Sequence, residues 1–253
     1  MLIDTHAHLY YPDLKSQLDD VIFRADGVGV EQIICVGTDL DSSKKSIAIA
    51  EKYPTVFATV GVHPHDAKDV SADFIEELRK LAAHERVVAI GEMGLDFFRN
   101  LSPPDVQSVV FCQQLELANE LDLPAVIHNR DADEALLAIL KEVTPKRGVV
   151  HCFSSGVETA RSILDLGVII SFTGTVTFGK NHNESVLKAI DLKDFMLETD
   201  CPFLAPIPNR GKLNEPANIP HIAQQIAEII GVSVEEVAEK TTRTAQQFFR
   251  LPR

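Results

Sequence analysis

The chain has 253 residues, 45% of them hydrophobic and 24% charged, with a formal net charge of −13. That length allows a large core within a single domain. The acidic balance excludes broad electrostatic attraction to nucleic acid or anionic membrane, but leaves room for a local cationic pocket that grips a phosphate. No run reaches the ~18 apolar residues of a membrane span, and no basic stretch followed by an apolar one marks a signal peptide. The four cysteines, Cys35, Cys112, Cys152 and Cys201, form no Cys-x-x-Cys pair, so neither a zinc ribbon nor a redox motif is expected. A reduced, cytoplasmic protein that contacts no membrane is the expectation.

In chain order, short β-branched apolar runs alternate with longer amphipathic ones. "LIDT" (2–5), "QIICVG" (32–37) and "VFATVG" (56–61) read as strands. A helical pattern over 71–85, opening on a serine cap signal, precedes the strand "VVAIGE" (87–92). A second helix, 103–122, begins on prolines suited to a first turn. The strands "PAVIHN" (124–129) and "GVVHCF" (148–153) follow, then a helix over 156–167 that stops on a glycine. "VIISF" (168–172) and "FMLETD" (195–200) complete eight strands, and two helices near 216–230 and 233–249 close the chain. The strand segments are continuously apolar, as in a parallel sheet covered on both faces. Eight such strands alternating with helices over this length predict an α/β fold, a (β/α)8 TIM barrel in one domain spanning 1–253. A doubly wound open sheet is the alternative, but the first turn, "THAHLYYPDL", lacks the glycines that cradle a nucleotide.

Chemistry-bearing residues recur where the strands end. His6 and His8 are two apart, so in a strand they face the same side. His63 and His65 follow the third strand, Glu92 ends the fourth, His128 the fifth, His151 the sixth, and Glu198, Thr199 and Asp200 the eighth. A barrel brings these ends to one mouth, the usual place of an active site. Burying so many imidazoles and carboxylates without a cation is costly, and a metal centre resolves that cost. Nitrogen and oxygen donors without thiolate suit Zn, Mn, Fe, Ni or Co, with Mg possible where carboxylates and water dominate. Six ligands exceed the set of a single catalytic zinc, whereas two adjacent divalent ions sharing a carboxylate use them all.

The stretches "IDTHAHL", "GVHPH", "IGEMGLDFFRN", "VIHNRDA", "VVHCFSS" and "LETDCPFLAPIPNRGKLNEPANI" closely resemble the TatD family of metal-dependent deoxyribonucleases, within the metallo-dependent hydrolase superfamily. The resemblance runs from residue 3 to the final "TTRTAQQFF". It implies a TIM barrel with a two-metal site and a Mg-dependent nuclease, with 3′-to-5′ exonuclease activity in some members. It further implies that His6, His8, Glu92 and Asp200 hold one ion and Glu92, His128 and His151 the other, with Glu92 bridging. Four imidazoles favour Zn or Mn in affinity, with Mg acting through its abundance. This chain departs from the family pattern at Phe97 and Phe98, where tyrosines are usual, and at Cys201 and Asn129, where serines are common.

For a DNA substrate, Arg130, Arg210 and His63 are the expected phosphate contacts, with Lys212 beside Arg210. Asp200 is the expected general base, acting with Glu92. His65 and His182 read as surface residues, and His84 and His221, in helical patterns, as structural ones. The sequence has no Trp and no basic stripe interleaved with aromatics, so an extended base-stacking platform is unsupported and grip on a DNA end or short single strand is favoured. Two other readings compete. One is a superfamily hydrolase of an ester or amide, against which the fourth strand offers Glu92 and no metal-bridging lysine. The other is a non-catalytic metal-binding scaffold, against which the ligand set is complete.

Overall fold

The computed structural model describes residues 1–179 and 183–252; His182 lies outside them. Eight strands form one parallel sheet in sequence order: β1 (Leu2–Ala7), β2 (Val30–Val36), β3 (Val56–Val60), β4 (Val87–Asp96), β5 (Ala125–Arg130), β6 (Gly148–Val150), β7 (Val168–Phe172) and β8 (Phe195–Leu197). Closure comes just beyond β8, where Ala7 bridges Cys201 in parallel, the Asp200 amide donates to His6 O at 2.9 Å and the His8 amide to Cys201 O at 2.7 Å. The fold is the (β/α)8 barrel.

The helices are α1 (Pro12–Lys15), α2 (Leu18–Gly27), α3 (Leu40–Lys52), α4 (Phe74–Ala82), α5 (Pro104–Leu121), α6 (Asp133–Glu142), α7 (Val157–Asp165), α8 (Asn183–Leu187), α9 (Ile219–Ile230) and α10 (Val234–Phe249). Helix α4 begins three residues after Ser71, with Asp73 before its first turn and no side-chain cap, so the serine signal overstated its reach. Helix α5 opens on Pro104 as expected. Helix α7 is followed by Gly167 at φ +76°, the left-handed stop that glycine adopts without strain. Helix α3 starts with a capping box in which Asp39 accepts the Ser42 amide at 2.6 Å. Among the described residues no helix is long and apolar enough to cross a membrane.

Apolar side chains pack in two layers. The larger set fills the space between strands and helices. A smaller one draws Ile3, Ile34, Val36, Phe57, Ala89, Val126, Val149 and Met196 from seven strands together with Ala245, Phe248 and Phe249 of α10, so it occupies the barrel axis. The end of α10 closes the N-terminal mouth: Arg147 at the foot of β6 donates to Phe248 O at 2.6 Å, and Gln32 on β2 to Pro252 O at 2.9 Å.

This inner layer sets where the polar residues go. With a period of two, Val126 is followed inward by His128, Val149 by His151, and Met196 by Glu198 and then Asp200. On β1 and β4 the parity is wrong: Ile3 and His6, like Ala89 and Glu92, are three apart. Both strands correct it with a register shift, between Asp4 and Ala7 against β2 and between Ile90 and Met93 against β5. One extra residue in the strand flips the face, which is what a bulge does. Gly91 (φ +141°) and Gly94 (φ +137°) flank Glu92 in backbone conformations that favour glycine, and a Cβ at Gly94 would collide with His128 O.

Candidate metal centre

Above the inner layer, at the C-terminal ends of the strands, opens a pocket of about 720 Å³ lined by His8, His63, His65, Glu92, Asp96, His128, His151 and Asp200, with Tyr11, Arg99, Arg130 and Phe203 among its walls. Glu92 in its lining is 3% exposed, and His6, against Glu92, is 0% exposed. Glu92 is the centre of the arrangement. Its Oε2 lies 3.3 Å from His6 Nε2 and 3.7 Å from His8 Nε2. Its Oε1 lies 2.8 Å from His151 Nε2, 2.9 Å from His128 Nδ1 and 3.4 Å from His63 Nε2. Asp200 Oδ1 closes the first group, 3.4 Å from His8 Nε2 and 3.9 Å from His6 Nε2. Burial works against charge on Glu92, but His151, His63 and His128 outweigh it and hold the carboxyl well below its usual range. Asp200 is likewise lowered, by His8 and His6 against its burial.

Hydrogen bonds behind His8 and His128 fix which nitrogen faces the pocket, whereas the Nδ1 atoms of His6 and His151 are buried without one. His8 Nδ1 is 2.9 Å from Val36 O, a group that only accepts, so Nδ1 carries the proton and a neutral ring points the lone pair of Nε2 inward. That lone pair faces His6 Nε2 at 3.3 Å and the Asp200 carboxylate, an arrangement that is repulsive unless a proton or a metal ion occupies Nε2. His128 Nε2 donates to Asp96 Oδ2 at 3.3 Å, leaving Nδ1 to face Glu92 and His151. His151 Nδ1 lies 3.4 Å from Glu198 Oε1, leaving Nε2 inward. Carboxylate or carbonyl partners behind imidazoles are typical of metal ligands. Donor atoms about 2.1 Å from one ion sit roughly 3.0–3.4 Å apart in octahedral or tetrahedral sets, close to most of these separations. The residues fit divalent metal. His63 differs: its Nδ1 accepts the His65 amide at 3.1 Å, so Nε2 holds the proton and acts as a donor. Burial lowers its pKa to about 4, so it is neutral near pH 7.

Sequence reasoning missed Asp96. It ends β4, is 1% exposed, and accepts His65 Nε2–H at 2.8 Å, His128 Nε2–H and the Arg99 amide at 2.7 Å. The "GLD" following Glu92 carried the signal, since Glu92, Gly94 and Asp96 alternate along one strand. His65, read as a surface residue, is a half-buried wall of the pocket held by that same bond. Glu198 is buried and accepts the Cys152 amide at 2.6 Å and Ser171 Oγ–H at 2.7 Å. Asp4 accepts Thr199 N–H at 2.9 Å and Thr199 Oγ1–H at 2.6 Å, and burial pushes its pKa up to about 7. Asn214, fully buried, donates to Thr199 O at 2.9 Å and to Phe203 O, clasping the turn on which Asp200 takes the strained φ of +54°. His84 sits in the turn after α4, 3.2 Å from Glu51, and His221 is exposed on α9.

Of the expected phosphate contacts, His63 and Arg130 line the pocket, and the Arg130 guanidinium lies 4.0 Å above the Phe98 ring. Arg210 does not line it: it is exposed and packs 4.4 Å from the Phe178 ring centroid.

Residues 3–250 match the profile of the TatD related DNase family. The chain belongs to this family. It is 44% identical, over 99% of its length and all of the relative's, to the Bacillus subtilis protein YabD, named an uncharacterized metal-dependent hydrolase. It is 36% identical, again over 99% of this chain and all of the relative, to the 3′-5′ ssDNA/RNA exonuclease TatD of Erwinia tasmaniensis. Among solved structures, the TatD homologue YjjV of Escherichia coli K12 superposes with a TM-score of 0.94 at 28% identity, covering 99% of this chain and 98% of that one. The chain is thus a metal-dependent hydrolase of the TatD family.

Proposed function

We propose that this TatD-family hydrolase is a deoxyribonuclease that removes nucleotides from the 3′ end of single-stranded DNA, using two divalent ions. One observation carries the reading: the two oxygens of Glu92 face two different imidazole sets, His6 and His8 on one side and His128 and His151 on the other. His6, His8, Glu92 and Asp200 would hold the first ion, and Glu92, His128 and His151 the second. Four imidazoles favour Zn or Mn over Mg in affinity. When bound, such ions supply Lewis acidity and neutralise charge at a scissile phosphate. The chain's own residues do the rest. Asp200, ionised and lining the pocket, accepts the proton of the attacking water. His63 Nε2–H and Arg130 donate to the non-bridging phosphate oxygens, while Arg210, outside the pocket, contacts only backbone beyond the cleaved nucleotide. The exonuclease name of the Erwinia relative supports the choice of a phosphodiester, as does the absence of lysine from the described residues lining the pocket, where an amide-type site would bridge its metals.

The test uses 5′-labelled single-stranded DNA, single-stranded RNA and blunt duplex, each with added Mn or Mg and with EDTA. Products shortened stepwise from the 3′ end of single-stranded DNA, abolished by EDTA, are expected. Hydrolysis of ester or amide substrates with no attack on any oligonucleotide overturns the proposal.

A further inference from the structure

Across the pocket from Arg99 and Arg130 stands an aromatic corner that the metal chemistry leaves unused. Phe203 follows Asp200 by three residues, and its amide donates to Asp200 O at 3.0 Å, so the turn that carries the carboxylate also fixes the ring. The ring is 46% exposed. It stands perpendicular to Tyr11, with centroids 5.3 Å apart and planes at 83°, and 6.3 Å from the His8 ring. Both rings line the same pocket as Glu92 and Asp200. Tyr11 follows β1 and Phe203 follows β8, whereas His63, Arg99 and Arg130 come from the opposite arc, β3 to β5. The pocket therefore has an apolar, aromatic side and a cationic side, with the metal centre between them.

A nucleotide has the same division: a flat base with π faces and an anionic backbone. We propose that Phe203 and Tyr11 form a nucleobase-stacking subsite, so that a nucleotide lies with its base on the β8–β1 side and its phosphate toward His63, Arg99 and Arg130. The proposal rests on the phosphodiesterase reading above and adds the element that recognises the base. A base lying flat on Phe203 meets the perpendicular Tyr11 ring with its edge. An unpaired base turns into such a corner freely, whereas a paired one must first leave its partner and its stack, which favours single strands over duplex. Ring faces read no base edge, so stacking here tolerates all four bases.

The experiment measures kcat/KM on a short single-stranded DNA for the wild type, Phe203→Ala and Phe203→Tyr, with metal content checked in each. A second substrate carries an abasic residue at the last or next-to-last 3′ position. Alanine truncation at one stacked base costs on the order of five- to 150-fold. Phe203 is half exposed, so a loss of about tenfold is expected for Phe203→Ala, mostly in KM, with metal content retained and activity restored by Phe203→Tyr. The abasic substrate at one of the two positions should cost the wild type a similar factor, with little further loss when combined with Phe203→Ala. Wild-type kinetics in Phe203→Ala overturns the subsite. So do losses that simply multiply when the variant meets the abasic substrates. Failure of the metal-replete wild type to cleave any oligonucleotide refutes the phosphodiesterase reading itself, and the subsite with it.

Discussion

Replacing Asp96 by alanine should weaken one metal and spare the other. Asp96 touches no proposed ligand except His128, whose Nε2 proton it accepts at 3.3 Å, and it also holds His65 at 2.8 Å. Burial disfavours its charge, yet His128, the Arg99 amide and His65 outweigh that and keep the carboxyl well below its usual range, so it is an anion at neutral pH. An anion behind an imidazole fixes the ring tautomer and raises the basicity of the opposite nitrogen, here Nδ1, which faces Glu92. Loss of such a partner typically lowers metal affinity 10- to 100-fold, about 1.4–2.7 kcal/mol. On the other side His8 is oriented by Val36 O, and neither His6 nor His8 touches Asp96. Calorimetric titration of the metal-free protein with Mn²⁺ should therefore show one of two binding events weakened by that factor and the other within about twofold of wild type. His65→Ala leaves the His128 bond in place and should shift neither event by more than about threefold. Unchanged binding of both equivalents by Asp96→Ala, or equal weakening of both, refutes the reasoning.

Three further outcomes are expected. Asn214→Ala removes a fully buried amide that donates to Thr199 O and Phe203 O and accepts from the Asn218 side chain at 2.8 Å and the Glu215 amide at 3.0 Å. Denaturant unfolding should register a loss of roughly 3 kcal/mol, with a larger fall in kcat than in substrate affinity; wild-type stability contradicts this. Metal binding should release protons. In the metal-free chain burial opposes charge on His8, His128 and His151, but hydrogen bonds and charges from Asp200, Asp96, Glu92 and Glu198 raise all three above the usual histidine value. The ion must displace those protons, so affinity falls as pH drops. Calorimetry at pH 6 in two buffers of different ionisation enthalpy should count about two or more protons released, and a count of zero sinks the ligand set. Thiol chemistry should play no part. Burial pushes Cys152, in the pocket wall, up to about 12 and Cys35 up to about 11, so both stay thiols at neutral pH. Activity should survive iodoacetamide, and rapid inactivation contradicts the account.

Much of this molecule is legible in its sequence because burial on both sides of a parallel sheet writes itself as continuous apolar runs. All eight such runs are strands, and the polar residues that end them converge. The inward rows on β5, β6 and β8 follow from simple alternation: Val126 and His128, Val149 and His151, Met196 to Asp200. The register shifts in β1 and β4 were not legible. Alternation alone places Ile3 and His6, or Ala89 and Glu92, on opposite faces, and the bulges depend on how neighbouring strands pair. Helices α2, α3 and α6 were not singled out, although the Asp39–Ser42 capping signal of α3 lay in plain view. Asp96, His65 and Asn214 escaped because their importance lies in hydrogen bonds across 11 to 37 residues of chain. The aromatic corner escaped for the same reason: Tyr11 and Phe203 are neighbours only once the barrel closes. Arg210 shows the reverse, since nearness in sequence to Asp200 does not bring it into the pocket.

The most direct test of the central claim couples metal occupancy to cleavage. Metal-stripped protein receives increasing equivalents of Mn²⁺, and each sample is divided between elemental analysis and hydrolysis of a single-stranded oligonucleotide. The account predicts no cleavage without metal, a rise to full rate only as the second equivalent binds, and a Glu92→Ala variant that retains little of either ion and stays inactive at every ratio. Full-rate cleavage by the stripped protein, or by Glu92→Ala, would contradict it.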